Sequence, residues 1–163
     1  MVTLETDSMR LTFPQNWSIR QCKPRAVVLG PRGELIEISS NRIEGNCDSR
    51  ERTEARRQLR ENMLKVFTGM CEDGSCVVHT QLQRHPSPGS EEFYQQLFRS
   101  PDKTKIFGLF GLAQGDVVML VSFEAPAELT HTLLDLAEVL DRVEWLNPPA
   151  PAPIKSFNWR FWQ

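Results

Sequence analysis

The sequence lacks the features that mark membrane-spanning, exported and nucleic-acid-binding proteins. Its longest apolar run is DVVMLVSF at 116–123, well short of the about 20 residues that a membrane-spanning helix needs. Its net charge is −2, whereas nucleic-acid-binding domains usually carry a basic excess. The opening MVTLETDSMRLTF has neither the basic nor the apolar region of a secretory signal. We therefore expect a cytoplasmic protein with no membrane span and no nucleic-acid partner.

Catalytic signatures are also missing. The three histidines, His79, His85 and His131, have no nucleophile fixed beside them by the local sequence. Cys76 and His79 stand three residues apart in an expected strand, which sends their side chains to opposite faces. The stretch GLFGLAQG at 108–115 lacks the lysine and the strand-to-helix context of a phosphate-binding loop. We expect no enzymatic activity and no cofactor.

Four cysteines, Cys22, Cys47, Cys71 and Cys76, allow three disulfide pairings, but a chain with a good core does not need them. The stretch CEDGSC, with His79 close behind, supplies only one half of a structural zinc site, which usually has four ligands in two halves. We interpret the cysteines as free thiols and expect no metal. Cys71 and Cys76 flank a turn on Asp73-Gly74, so they are the first choice if any disulfide forms.

What is present is an ordinary globular composition, with 40% hydrophobic and 25% charged residues. A length of 163 residues suits one core. We expect one α+β domain over 1–147, followed by a proline-rich spacer and an aromatic tail over 148–163.

The first half of the chain predicts short strands and then a long helix. Residues 9–13 alternate up to Pro14, and a second strand begins at Trp17. The stretches 26–30 and 34–39 flank a proline- and glycine-containing turn, which predicts a hairpin. Asp48 and Glu51 form a capping pattern, and Gly69 is placed to end the helix. Apolar residues at three-to-four spacing predict its buried face: Ala55, Leu59, Met63, Val66 and Phe67.

The opposite face of this helix is rich in arginine. Its charges are Arg50, Arg52, Arg56, Arg57 and Arg60, interleaved with Glu51, Glu54 and Glu61. An anion-binding stripe is one interpretation, but the mixed signs favour a solvated face with ion pairs at i,i+4. The carboxylate pairs Glu91-Glu92 and Asp135-Glu138 are interpreted in the same way, as solvated surface charges.

The second half predicts four strands and a second helix. The strands are 76–84, 91–100, 103–113 and 116–125, with Gln114-Gly115 linking the last two as a tight antiparallel hairpin. The last strand is apolar on both faces, as is typical of a central strand covered on both sides. A helix is expected from Pro126, with a stripe formed by Leu129, Leu133, Leu136, Leu140 and Val143. The order of elements predicts an antiparallel sheet with two long helices packed on it.

The chain resembles the PsbP/DcrB-like superfamily over about residues 8–146. The resemblance rests on RLTFPQNWSIR at 10–20, GPRGELIEISSNRI at 30–43 and LDRVEW at 140–145 in the same element order. The superfamily includes the yeast Ran-binding Mog protein and bacterial Eag-type chaperones of type VI secretion effectors. The resemblance implies a non-catalytic protein that binds other proteins, but it carries over no binding residues. We expect no leader of the kind found in the DcrB and PsbP branches.

The chain ends in APIKSFNWRFWQ, where Phe157, Trp159 and Phe161 alternate, with Arg160 and Trp162 among them. An extended strand would project the three alternating aromatics on one face, and each ring can bury on the order of 150–250 Å². Three surfaces could cover them: the protein's own sheet or helix, a partner or a second copy of this chain, or a membrane surface. We assign these five residues as candidate partner-binding residues.

These observations favour stoichiometric protein binding. The leading hypothesis is a bacterial immunity protein that neutralises a toxin of a type VI secretion system by covering its active site. An Eag-like effector chaperone or adaptor is the alternative, and a small hydrolase is the third class.

Overall fold

The computed structural model describes residues 1–22, 25–85, 87–129 and 131–146. In that part of the chain ten strands form two antiparallel sheets, and two α-helices accompany them. The strands are β1 Val2–Glu5, β2 Met9–Phe13, β3 Ser18–Cys22, β4 Arg25–Leu29, β5 Leu35–Arg42, β6 Val77–Arg84, β7 Glu92–Arg99, β8 Lys105–Gln114, β9 Val117–Pro126 and β10 Glu144–Trp145. The helices are α1 Ser49–Glu72 and α2 Thr132–Asp141, the latter preceded by a short 3-10 helix, Ala127–Leu129.

The larger sheet has the strand order β3-β4-β5-β9-β8-β7-β6. The β8–β9 hairpin turns at Gly115 and Asp116, with Gln114 paired to Val117 and Gly115 at a φ of 56°. The predicted hairpins 26–39 and 103–125 are therefore confirmed. β9 is the middle strand, and its alternate residues enter opposite cores, as the sequence predicted: Met119 and Val121 on one face, Val118 and Leu120 on the other.

A second, three-stranded sheet, β1-β2-β10, was not predicted. β2 and β3 are both strands, as expected, but they belong to different sheets. β2 pairs with β1 and with the two-residue strand β10. This sheet and α2 share one hydrophobic core with one face of the large sheet, in which Leu11, Phe13, Leu136 and Leu140 are almost fully buried.

Helix α1 covers the opposite face of the large sheet. Asp48 accepts a hydrogen bond from the Glu51 backbone N–H at 2.8 Å, and Glu51 accepts one from the Asp48 N–H at 3.1 Å, which confirms the capping box. The predicted end at Gly69 is wrong, because the helix continues to Glu72 and Gly74 takes the left-handed conformation instead, with φ 84°. Val66 was also misplaced, since it is 63% exposed. It precedes the buried Phe67 by one residue and so points about 100° away from it.

Helix α2 is shorter than expected. Pro126 was predicted to open it, but this residue is the last of β9 and lies opposite Lys105. The sheet ladder extends this far because a proline at a strand end needs no ladder N–H. The stripe of Leu133, Leu136 and Leu140 is buried as predicted, and Val143 is buried just after the helix. No helix in the described ranges is long and apolar enough to cross a membrane.

Candidate protein-binding edge

β6 is one edge of the large sheet and its most exposed strand. It pairs with β7 on one side, and no described strand lies on its other side. Three apolar side chains on this strand are more than a third exposed: Val77 and Val78 at 39% each and Leu82 at 38%. We call this strand, with these three side chains, the β6 edge.

The β6 edge has only part of the usual protection of sheet edges. Natural proteins commonly block edge strands with lysine, proline or bulges, because unpaired backbone N–H and C=O groups invite another strand. In VVHTQLQR the only charged residue is Arg84, and there is no proline. The β6–β7 pairing does contain two register shifts, one on each side of Thr80. The hydroxyl of Thr80 accepts the Leu97 backbone N–H at 3.1 Å, so the irregular section stays attached to the sheet.

A packed base holds this edge in place. Cys76, next to Val77, is buried in a cluster with Phe67, Phe98 and Leu109. The rings of Phe67 and Phe98 stack with centroids 4.8 Å apart. The edge therefore starts from an ordered junction between the end of α1 and the sheet.

The arginine face of α1 is not uniformly solvated, which corrects the sequence interpretation. Arg56 is only 5% exposed and donates to Glu92 at 3.0 Å and to Glu91 at 2.9 Å. The Arg60 guanidinium stacks over the Tyr94 ring at 3.9 Å and lies 3.7 Å from Glu92. The pair Glu91-Glu92 is thus part of an ion-pair network between α1 and β7. Arg57, with Glu54 and Glu61, does form the solvated pairs that were expected.

This network leaves little room for a ligand. The space beside Arg56, Arg60 and Tyr94 amounts to about 10 Å³, roughly what a single water molecule needs. The Nε groups of Arg52, Arg56 and Arg60 have no hydrogen-bond partner among the described residues. Both Nη groups of Arg56 donate to carboxylates, and one Nη group of Arg60 lies 3.7 Å from Glu92. The arrangement is best explained as a structural clamp between helix and sheet.

The cysteines and histidines do not form a reactive site in the described part of the chain. Cys71 and Cys76 are free thiols whose sulfurs lie 3.1 Å apart in a hydrogen bond. Burial and the contact with Cys71 raise the pKa of Cys76 to about 12, so this thiol stays protonated near neutral pH. His79 is exposed on β6, and the His85 ring packs edge-on against Phe93. Among the described residues no group of three His, Cys, Asp or Glu could hold a metal ion.

The predicted partner-binding residues Phe157, Trp159, Arg160, Phe161 and Trp162 lie outside the described residues. The β6 edge was missed because its strand was recognised but its place in the sheet was not. The sequence did contain a signal for an edge position. VVHTQLQR has no clean alternation of apolar and polar residues and few charges, whereas the central strand DVVMLVSF is apolar on both faces.

The comparisons with known proteins identify the fold. No protein-family model and no curated protein matches the sequence. Among solved structures, the chain is similar to cyanobacterial PsbP (CyanoP) from Synechocystis, with a TM-score of 0.57 and 10% identity over 86% of this chain and 88% of that one. It is also similar to LpqN, which is involved in cell envelope biogenesis of Mycobacterium tuberculosis, with a TM-score of 0.57 and 15% identity over 85% and 83%.

These similarities define an α+β protein with a PsbP-like fold. At such low identity they show the fold alone, because one fold can host unrelated functions. They confirm a PsbP-like fold, which is the fold-level part of the resemblance seen in the sequence.

Proposed function

We propose that this protein acts by stoichiometric protein binding and that the β6 edge is its main docking surface. An extended segment of the partner would add to β6 as an eighth strand of the large sheet. The observation that supports this proposal most directly is an edge strand with three exposed apolar side chains and without lysine or proline, seated on a packed base. Strand addition draws affinity from backbone hydrogen bonds and specificity from alternate side chains.

The exposed side chains at this edge are sufficient to contribute to such a complex. Fully burying a valine or leucine side chain is worth roughly 1.5–3 kcal/mol. Since each of Val77, Val78 and Leu82 is slightly over a third exposed, covering all three would add on the order of 2–3 kcal/mol. Backbone pairing along the strand would supply much of the rest of the affinity.

The specific role that we propose is that of an immunity protein. The partner would be a toxin of a type VI secretion system, and binding would block the toxin's active site by occlusion. Arg84 at one end of β6, and Arg99 on β7 opposite Val77 at the other end, would lie at the border of the contact and accelerate association with an acidic toxin surface. The aromatic tail residues are proposed as additional contacts, and the cytoplasmic location stays a prediction.

A chaperone for an apolar effector segment is the second candidate, favoured by the same three apolar side chains. The two roles differ in what is bound. An immunity protein binds a folded catalytic domain and abolishes its toxicity, whereas a chaperone binds an apolar segment and leaves toxicity unchanged.

The proposal is tested by lysine substitution at the edge. We expect the double variant Val78→Lys/Leu82→Lys to weaken binding to a toxin encoded beside this protein's gene by about tenfold or more, because edge lysines oppose strand addition. Leu134→Lys is the matched control, since Leu134 is an exposed leucine of α2 at 74% exposure. Binding is measured by calorimetry and neutralisation by growth of cells that express the toxin.

Equal binding by the edge variant, with its melting temperature unchanged, would remove the β6 edge as the docking surface. Rescue of growth supports the immunity role, whereas binding to an isolated apolar segment without rescue supports the chaperone role.

A further inference from the structure

A cleft at the opposite end of the large sheet has the chemistry of a cation-binding site. It lies between the β2–β3 turn, the β4–β5 turn and the first turn of α2, and encloses about 430 Å³, within the usual range for ligand sites. Its walls include Pro14, Trp17, Pro31, Arg32, Glu34 and Asp135. The turns that form it adjoin β3 and β4, whereas β6 is the other edge of the sheet, so the cleft is separate from the β6 edge.

Glu34 is the unusual residue of this cleft. Its side chain is 0% exposed, and its Oε2 accepts the Arg32 backbone N–H at 2.8 Å. Its Oε1 has no hydrogen-bond partner among the described residues, and the nearest cation is Arg32 Nε at 3.6 Å. A buried carboxylate with unused acceptor capacity is costly to the fold.

The backbone makes room for this carboxylate. A Cβ atom at position 30 would lie 2.2 Å from Glu34 Oε2, so Gly30 is the residue that allows the side chain to fold under the turn. The Gly30 N–H donates to the Glu34 carbonyl at 2.8 Å, which fixes the turn around it. The turn therefore holds the carboxylate in the cleft rather than in solvent.

The remaining charges favour a positive ligand. Two carboxylates, Glu34 and Asp135, and one guanidinium, that of Arg32, line the cleft. Arg32 is half exposed, and the distance from its Nε to Glu34 exceeds a hydrogen bond. Arg32 therefore lies beside the carboxylate but does not satisfy its Oε1. The N-terminus of α2, which favours anions, is already matched by Asp135 in its first turn.

We propose that this cleft binds the cationic side chain of an arginine or lysine from another polypeptide. The incoming cation would displace Arg32 toward solvent and donate to Glu34 Oε1, with Asp135 as a second acceptor. Trp17 would supply an aromatic wall, on which guanidinium and ammonium groups are attracted to the ring face. The proposal does not depend on strand addition at the β6 edge.

The probe for the test is N-acetyl-arginine amide, titrated into the full chain labelled with ¹⁵N. We expect saturable shifts of the Trp17 indole N–H signal, which is assigned by its loss in Trp17→Phe. The uncharged isostere N-acetyl-citrulline amide and the anionic N-acetyl-glutamate amide serve as matched controls, and both should bind at least about fivefold more weakly, since a charge-assisted hydrogen bond is about twice as strong as a neutral one.

The variants separate ligand binding from folding. Arg32→Gln should tighten binding of the arginine probe by about threefold or more, because the competing resident cation is gone, whereas Glu34→Gln and Asp135→Asn should weaken it. If the Arg32–Glu34 pair only stabilises the fold, Arg32→Gln should instead weaken binding of the arginine probe. Equal affinity for arginine and citrulline probes in the unsubstituted protein, or tighter binding of the glutamate probe, would overturn the proposal even if Glu34→Gln fails to fold.

Discussion

Arg56 and Arg57 are adjacent residues of α1 in opposite surroundings. Arg56 is buried between the helix and β7, where its guanidinium contacts Glu91 and Glu92 and also donates to the Gly115 carbonyl. Arg57 pairs with Glu54 and Glu61 in solvent. A buried charge that loses its partner is far more costly than a solvated one. The difference between these two positions therefore lies in burial, because both make ion pairs.

We predict that Arg56→Ala lowers the free energy of unfolding by about 3 kcal/mol, the magnitude typical of breaking a buried ion pair. The substitution leaves Glu92, which is 12% exposed, without its closest cation. Arg57→Ala is the control and should leave the urea midpoint nearly unchanged. Both are measured by urea unfolding, and similar losses at the two positions would show that the Arg56 network is not the clamp between helix and sheet.

The Asp102 carboxylate controls the turn between β7 and β8. Its Oδ1 accepts hydrogen bonds from the Ser100 hydroxyl at 2.6 Å and from the Thr104 hydroxyl and N–H at 2.7 and 3.0 Å. The Ser100 bond first, and then the Thr104 bonds, lower the pKa of Asp102 from 3.8 to about 2. Because the folded pKa is the lower one, the stabilisation by this carboxylate is complete above about pH 4 and is lost as the pH falls toward 2.

We predict that the carboxyl carbon signal of Asp102 titrates with a midpoint near pH 2 in the folded protein. The double variant Ser100→Ala/Thr104→Val removes the side-chain donors, so its midpoint should rise toward the ordinary value. Asp102→Asn should differ in stability from the unsubstituted protein at pH 6, and the difference should shrink between pH 4 and pH 2. An ordinary Asp102 midpoint in the unsubstituted protein would contradict the turn geometry.

At the scale of elements, features set by neighbouring residues could be predicted from the sequence. Asp48 and Glu51 begin α1 through a capping box that spans four positions. The β8–β9 hairpin was equally visible, because its turn needs only a glycine at the right position. The end of α1 could not be predicted in this way. A Cβ atom added at Gly69 would meet no neighbouring atom, so nothing at that position forces the helix to end.

Features set by distant residues could not be predicted in this way. The burial of Arg56 depends on Glu92, which is 36 residues away. The strand β10 exists because Glu144 pairs with Arg10 across the whole chain. The same is true of the candidate sites: the sequence shows that VVHTQLQR forms a strand, but only the sheet order makes it an edge. The local sequence likewise does not show that the Glu34 side chain folds under a turn in the space that Gly30 leaves.

At the scale of the molecule, the two proposed binding surfaces lie at opposite edges of one seven-stranded sheet. The middle strands are covered on both faces, since Val118 and Leu120 face α1 while Met119, Val121 and Phe123 face α2 and the small sheet. Among the side chains that the structure describes on the large sheet, the large apolar ones that remain exposed are those of the β6 edge. A protein of this design can contact a partner at either end without exposing its core.

The aromatic tail is the last part of the protein-binding proposal, and its removal is the last prediction. The described residues before 147 form three buried hydrophobic clusters of their own, so we expect a variant lacking residues 148–163 to melt within about 2–4 °C of the full chain, the shift that about 1 kcal/mol causes at this size. If Phe157, Trp159 and Phe161 contact the partner, the same variant should bind it more weakly by tenfold or more. Melting is followed by calorimetry and binding by titration of the partner. A fall of many degrees would instead place the tail on the protein's own surface, because buried aromatic area lost on truncation must appear as lost stability.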